Sequence, residues 1–292
     1  MKRLLVTGVS GFLGWHTCQL SKGEWNVYGT CFSKSVNSPG INILNVDLTN
    51  FHQLKQIFQD IQPDAVIHTA AQSSPNFCQM HPQETEVINV IASGNIAGLC
   101  ADYGIPCVFT STDLVFNGLN PPYRETDPVS PISYYGEQKV RAETLMLTRY
   151  PQTAICRMPL MFGQATPTAN SFIQPFIETL QAGNELKLFI DEFRTPVSGT
   201  TAAKGLLLAL DNIQGYLHLG GKERISRYEF GCLLVDVLRL PKAGLKSCRQ
   251  ADVKMAAPRP PDVSLDSSKA FALGYNPLPL QEELEALRGS LI

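Results

Sequence analysis

Leu4-Leu5-Val6-Thr7-Gly8-Val9-Ser10-Gly11-Phe12-Leu13-Gly14 decides the fold. An apolar run that breaks into glycines at every third position predicts a buried strand over Arg3–Thr7, a tight turn, and a helix opening near Phe12. Gly8 can take backbone angles that a side chain forbids. Gly11 lets the backbone approach a pyrophosphate, and Gly14 lets the new helix pack closely on the strand. The helix start then offers unpaired N–H groups and a partial positive charge to that anion. The G-x-x-G-x-x-G spacing departs from the general G-x-G-x-x-G pattern, so the strand–turn–helix setting carries the reading of a dinucleotide site.

Outward from that turn, short apolar segments alternate with helical ones. Strands are expected at Arg3–Thr7, Asn26–Cys31, Ile43–Val46, Ala65–His68, Cys107–Ser111 and Ala154–Arg157, and helices at Phe12–Leu20, Phe51–Gln59, Glu84–Tyr103 and Tyr134–Arg149. Continuous apolar strands such as Ala65-Val66-Ile67 suit a parallel sheet covered on both faces. The expected fold is therefore α/β, a Rossmann-type doubly wound parallel sheet over residues 1–157. After Arg157 proline-bearing loops separate helices near 169–183, 199–211 and 226–239, and 256–261 reads as a stiff extended connector. Residues 158–292 form a smaller substrate-binding lobe, with some segments returning to the first.

Bulk properties exclude several functions. The net charge of −2 gives no electrostatic basis for binding nucleic acid or an anionic membrane. No apolar run nears the ~20 residues that span a bilayer, and the first strand begins too early for a signal peptide. The eight cysteines include no C-x-x-C pair and no zinc-type spacing, so no metal is expected and a reducing cytoplasm is.

The chemistry lies further along. Thr112 directly follows the fifth strand, and Tyr135 and Lys139 stand four apart on a helix, sharing a face that Tyr134 does not. A lysine ammonium beside a phenol favours the phenolate, making the tyrosine a better acid near neutral pH. The Thr112 hydroxyl can hydrogen-bond the same substrate oxygen.

Together, Thr7-Gly8-x-x-Gly11-x-x-Gly14, Asp47-Leu48-Thr49, His68-Thr69-Ala70-Ala71 and Tyr135-x-x-x-Lys139 resemble an extended short-chain dehydrogenase/reductase. Ser111-Thr112-Asp113-Leu114-Val115-Phe116-Asn117-Gly118, Pro131…Tyr135-Gly136-x-x-Lys139 and Arg259-Pro260…Ser264-Leu265-Asp266 resemble the dTDP-4-dehydrorhamnose reductases within that class. The resemblance implies hydride transfer from a nicotinamide to the C4 ketone of a nucleotide-linked 6-deoxyhexulose. It implies Tyr135 as general acid, Lys139 on the nicotinamide ribose, and Thr112 on the ketone oxygen. Gly8, Ser10, Gly11, Phe12, Leu13, Gly14, Ser33, Lys34, Asp47, Leu48, Ala70, Ala71, Tyr135 and Lys139 are the implied cofactor residues. Thr112, Asp113, Arg194 and Arg259 are the substrate-side candidates, the arginines for the diphosphate.

Several positions keep two readings. Asp47 is an adenine contact or a loop-capping carboxylate. Asn89 stabilises the active-site strand or sits on a helix surface. Arg194 meets the diphosphate or lies in a solvated loop, and His68 is structural rather than catalytic. Where relatives place an aromatic after the sixth strand, this chain has Leu160, which leaves the sugar open. The second strand ends Cys31-Phe32-Ser33-Lys34 without an acid for a ribose hydroxyl, so NADP(H) is preferred and NAD(H) is the alternative. Other functions are a regulatory protein like the methionine adenosyltransferase beta subunit and an epimerase. Leu114 stands where dehydratases carry a proton-moving Glu, which argues against dehydration. A homodimer is compatible with the resemblance.

Overall fold

The computed structural model describes residues 1–291. Its central sheet is parallel throughout and built from β1 (Arg3–Thr7), β2 (Asn26–Cys31), β3 (Ile41–Asn45), β4 (Ala65–His68), β5 (Cys107–Thr112), β6 (Ala154–Met158) and the later strand Gly215–His218. Across the sheet the order is β3, β2, β1, β4, β5, β6, then Gly215–His218. The order reverses between β1 and β4. Crossovers leave the two strands in opposite directions there and open a crevice at their carboxyl ends.

Local sequence accounts for the flanking helices. In α2 (Phe51–Ile61) the buried residues Leu54, Ile57, Phe58 and Ile61 fall on one face, and the Asn50 side chain caps the start by accepting from Gln53 N. All of β4 is buried, as a strand covered on both faces must be. One face is covered by α1 (Phe12–Ser21) and the later helix Gly199–Asn212, around Leu4, Val6, Leu13, Ala202 and Leu206. The other carries α2 and α5 (Ala92–Tyr103), around Leu5, Leu54, Phe58, Ile96 and Phe109.

Several expectations need correcting: α1, α2, β5 and β6 run on to Ser21, Ile61, Thr112 and Met158. The third strand starts at Ile41, because Ile41 pairs with Val27 of β2 and the partner strand sets the boundary. The helix expected over Glu84–Tyr103 is broken into α4 (Pro82–Glu86), a π-turn at Val87–Ile91, and α5. An additional helix, α3 (Pro75–Met80), precedes them, with Ser74 as its cap and proline at its first position.

The lobe beyond β6 has a core of its own, in which Ile173, Ile177 and Leu180 meet Phe230, Leu234, Leu238 and Leu284. Helix Arg227–Leu238 starts on a capping box formed by Ser226 and Glu229. The proline-rich connector bridges the two parts of the chain: Pro261 O accepts from Phe193 N of this lobe at 2.7 Å, and Asn76 Oδ1 of α3 accepts from Ala257 N at 3.1 Å.

Candidate active site

At the crevice, Gly8 holds φ +79°, and a methyl on it would lie 2.8 Å from Ala70 Cα. Only glycine permits both the left-handed turn and the close approach of the two strand ends. The cleft that opens here has a volume of about 800 Å³. Every implied cofactor residue lines it: Gly8, Ser10, Gly11, Phe12, Leu13, Gly14, Ser33, Lys34, Asp47, Leu48, Ala70, Ala71, Tyr135 and Lys139. Thr30, Phe32, Gln72, Ile88, Met158 and Met161 line it as well and were missed. Phe32 had a signal, since an aromatic side chain leaving a strand end beside Ser33 is exposed and offers a flat face.

The structure shows Asp47 as a loop-capping carboxylate that also borders the cleft. Its Oδ1 accepts from Thr49 N at 2.9 Å and Thr49 Oγ1 at 2.6 Å, capping the loop, while the residue borders the cleft. At the mouth, Lys34 Nζ donates to Thr168 O at 2.9 Å, and Thr168 Oγ1 donates to Ser10 O at 2.8 Å. A segment of the second lobe thereby straps the entrance.

His68 is fully buried and organises the floor. Ser93 Oγ donates to Asn89 O, so it accepts from His68 Nε2 at 3.0 Å, which leaves Nδ1 to accept from Thr7 Oγ1 at 2.6 Å. Burial, aided by the Lys139 charge, pushes this imidazole down to about 3, so it stays neutral and structural. Asn89 is not on a surface. Buried on the π-turn, its amide bridges Gln72 N, Gln72 O and Gln138 Oε1, tying the loop after β4 to α6 (Tyr134–Arg149).

Tyr135 and Thr112 meet where α6 seats on the end of β5. Ser133 caps α6 by accepting from Gly136 N at 3.3 Å, and a side chain at Gly136 would collide with Leu114 O, so α6 seats directly on the turn after β5. That seat places Tyr135 near Thr112. Burial raises the Tyr135 phenol, the Cys78 and Asp113 charges raise it further, and hydrogen bonding with Thr112 opposes them. Lys139, packed over the Phe109 ring at 4.1 Å, is itself pushed down to about 7 by burial. Desolvation dominates both groups, raising the phenol and lowering the ammonium.

Thr112, Asp113, Arg194 and Arg259 do not line the cleft. Arg194 is not in a solvated loop. It is buried on the short strand Phe193–Arg194, with Nε 3.4 Å from Asp113 Oδ2, Nη2 3.2 Å from Glu192 Oε1, and Nη1 donating to Phe193 O. Its donors are spent inside the protein. Burial raises Asp113 to about 6 against the pull of Arg194, and its Oδ2 has no hydrogen-bond partner. Arg227, also missed, pairs with Glu192 through Nε at 3.2 Å while its buried Nη1 is unpartnered. Arg259 stands half-buried in the field of Glu192 and Arg194. Burial alone would raise Glu192, but Arg194, Arg227 and Arg259 hold it low. Three guanidinium groups facing two carboxylates leave unspent positive charge at Arg227 and Arg259.

Among the described residues no three His, Cys, Asp or Glu side chains are grouped to hold a metal, and no helix is long and apolar enough to cross a membrane. All eight cysteines are free thiols.

This architecture defines the class: an NAD(P)-dependent oxidoreductase of the extended short-chain dehydrogenase/reductase type. Within it, the chain belongs to the family described as RmlD substrate binding domain, whose model matches residues 1–289. It is 30% identical over 281 residues to methionine adenosyltransferase 2 subunit beta from Bos taurus, covering 94% of this chain and 83% of that one. It is 27% identical over 290 residues to the probable low-salt glycan biosynthesis reductase Agl14 of Haloferax volcanii, covering 98% and 97%. The crystal structure of a hypothetical dTDP-4-dehydrorhamnose reductase from Sulfolobus tokodaii superposes with a TM-score of 0.85 at 29% identity, covering 95% of this chain and 98% of that one.

Proposed function

We propose that this chain is a cytoplasmic, NADPH-dependent reductase of the C4 ketone of a nucleotide-linked 6-deoxyhexulose. The carrying observation is the buried Tyr135, hydrogen-bonded with Thr112 and lining, with Lys139, the same cleft as the glycine turn. The glycine turn and the start of α1 suit the pyrophosphate, and the exposed Ser33 and Lys34 suit a ribose 2′-phosphate. A reduced nicotinamide, when bound, supplies the hydride. Tyr135 gives its proton to the ketone oxygen, which Thr112 orients by hydrogen bonding. Lys139 holds the ribose hydroxyls and places positive charge beside the phenolate that Tyr135 becomes. Arg259 and Arg227 offer their unspent donors to the substrate diphosphate, and that distant grip positions the ketone.

A panel of nucleotide-linked 4-ketosugars, followed by NADPH absorbance, tests the reading. One member should be reduced, and Tyr135→Phe should keep NADPH affinity while losing at least ~10²-fold in turnover. Near wild-type turnover by the Phe variant would overturn the mechanism. The relationship to methionine adenosyltransferase 2 subunit beta supports a second, regulatory reading. It gains if no ketone oxidises NADPH and the chain binds a methionine adenosyltransferase catalytic subunit.

A further inference from the structure

After β6 the chain forms a loop over residues 163–171 whose shape is set within its own lobe. Thr166 N donates to Ala169 O at 2.8 Å, and Thr166 Oγ1 accepts from Ala169 N at 2.9 Å. Pro167, between them, fixes one backbone angle. At the base, Gln174 Nε2 donates to Gly163 O at 2.7 Å, and Gln174 Oε1 accepts from Ser171 N at 2.7 Å.

The placement of this loop over the cleft depends on the first lobe. Among the described residues three hydrogen bonds join the two. His16 Nε2 of α1 donates to Gln164 O at 3.3 Å, Lys34 Nζ donates to Thr168 O at 2.9 Å, and Thr168 Oγ1 donates to Ser10 O at 2.8 Å. Two of them centre on Thr168. Its carbonyl takes the cation that follows β2, and its hydroxyl grips the glycine turn that follows β1. Ser10, Lys34 and Ala169 line the cleft, and Thr168 stands behind that lining.

Lys34 is exposed on a four-carbon stem, so holding its ammonium in one place costs rotamer freedom. A backbone carbonyl that accepts one of the three ammonium N–H bonds holds the head still before a ligand arrives and leaves two donors free. A group ordered in advance binds its ligand more tightly. The Ser10 bond fixes the carbonyl in turn, because it ties the same residue to the backbone of the glycine turn.

We propose that Thr168 is a specificity-determining residue: clamped to Ser10 through its hydroxyl, it holds Lys34 through its carbonyl for the 2′-phosphate that distinguishes NADPH from NADH. This rests on the reading of Ser33 and Lys34 as the 2′-phosphate side of the cleft and not on the identity of the ketone. Loosening Thr168 weakens the phosphorylated cofactor more than the plain one.

Calorimetric titration of the substrate-free protein with NADPH and with NADH gives the ratio of the two affinities for each variant. Both are measured on one preparation, so partial unfolding cancels in the ratio. Thr168→Val removes the hydroxyl, keeps the branched shape, and should lower the NADPH preference about fivefold, the size of one hydrogen bond. Thr168→Ser should keep it near native. Lys34→Met should lower it at least as far, and adding Thr168→Val to that background should lower it no further, since both act through one ammonium. If Lys34→Met lowers the ratio, a Thr168→Val loss equal for both cofactors overturns the proposal alone. So does a fall in ratio that persists in the Lys34→Met background. A ratio unmoved by Lys34→Met overturns the 2′-phosphate reading and this proposal with it. Affinity is the readout, so an inactive ketone panel leaves the result standing.

Discussion

Replacing Arg194 by leucine separates a buried scaffold residue from a surface ligand for substrate. The side chain is 4% exposed and contacts Asp113 and Glu192, which are 4% and 3% exposed. Glu192 keeps Arg227, but Asp113 loses the one cation in contact with it among the described residues, while its Oδ2 already lacks a hydrogen bond. In the native fold burial raises Asp113 to about 6. A carboxyl raised in the fold is favoured protonated, so it costs stability as pH rises from its unfolded value through its folded one. An adjacent guanidinium commonly shifts a carboxyl by ~2 units. Losing it extends that cost upward, from about pH 6 to about pH 8, and adds about 3 kcal/mol by pH 8. Below pH 5 both proteins carry a protonated Asp113 and this component vanishes. Urea denaturation followed by circular dichroism between pH 5 and pH 8 measures the difference. A deficit under about 1 kcal/mol, typical of an exposed arginine, refutes the reasoning. So does a larger deficit that is flat with pH.

The neutral His68 links stability to acid. Its proton affinity falls from 6.5 to about 3 on folding, so stability is complete above 6.5 and is lost as pH drops through 3, by on the order of 5 kcal/mol at most. His68→Gln should flatten the acid limb of stability by about one proton, and an unchanged slope in urea titrations would count against the assignment. For cofactor choice, native protein should bind NADPH more tightly than NADH, and Ser33→Asp with Lys34→Ala should reverse the order, because the acid accepts from ribose hydroxyls and repels the 2′-phosphate. Equal or better NADH affinity in native protein would refute this.

The elements that the sequence places correctly end on local signals. β1, β2 and β4 end where expected because an apolar run stops at Thr, Cys or His, and α6 starts where expected because Ser133 caps it. Boundaries set by distant partners were not legible. Ile41 joins β3 because Val27 stands opposite it, and the π-turn forms where Asn89 reaches across to Gln72 and Gln138. α3 was readable and was missed, for Ser74-Pro75 is a helix start. The residues that line the cleft were legible because one glycine turn and the strand ends beside it carry most of them. The charged residues of the second lobe were not. Arg194 owes its burial to a two-residue strand paired with Ile225–Ser226. Arg227 owes its role to Glu192, which no spacing rule connects to it.

One signal in the charged residues was open to reading. Arg157 lies in a strand whose other residues are apolar, and a guanidinium in a fully buried strand requires an anion nearby. Glu143, spaced from Lys139 as Lys139 is from Tyr135, is the acid that the helix repeat would bring inward. Sequence thus exposes the debtor and the creditor separately, and only the fold pairs them. The pairing matters at the end of β5, where three consecutive residues are fixed from three directions. Glu143 of α6 holds Ser111, the turn N–H of Leu114 donates to Thr112 at 3.2 Å, and Arg194 of the second lobe pairs with Asp113. The Thr112 hydroxyl therefore has its place set jointly by both lobes, and substitutions at either neighbouring anchor should misplace it without touching substrate.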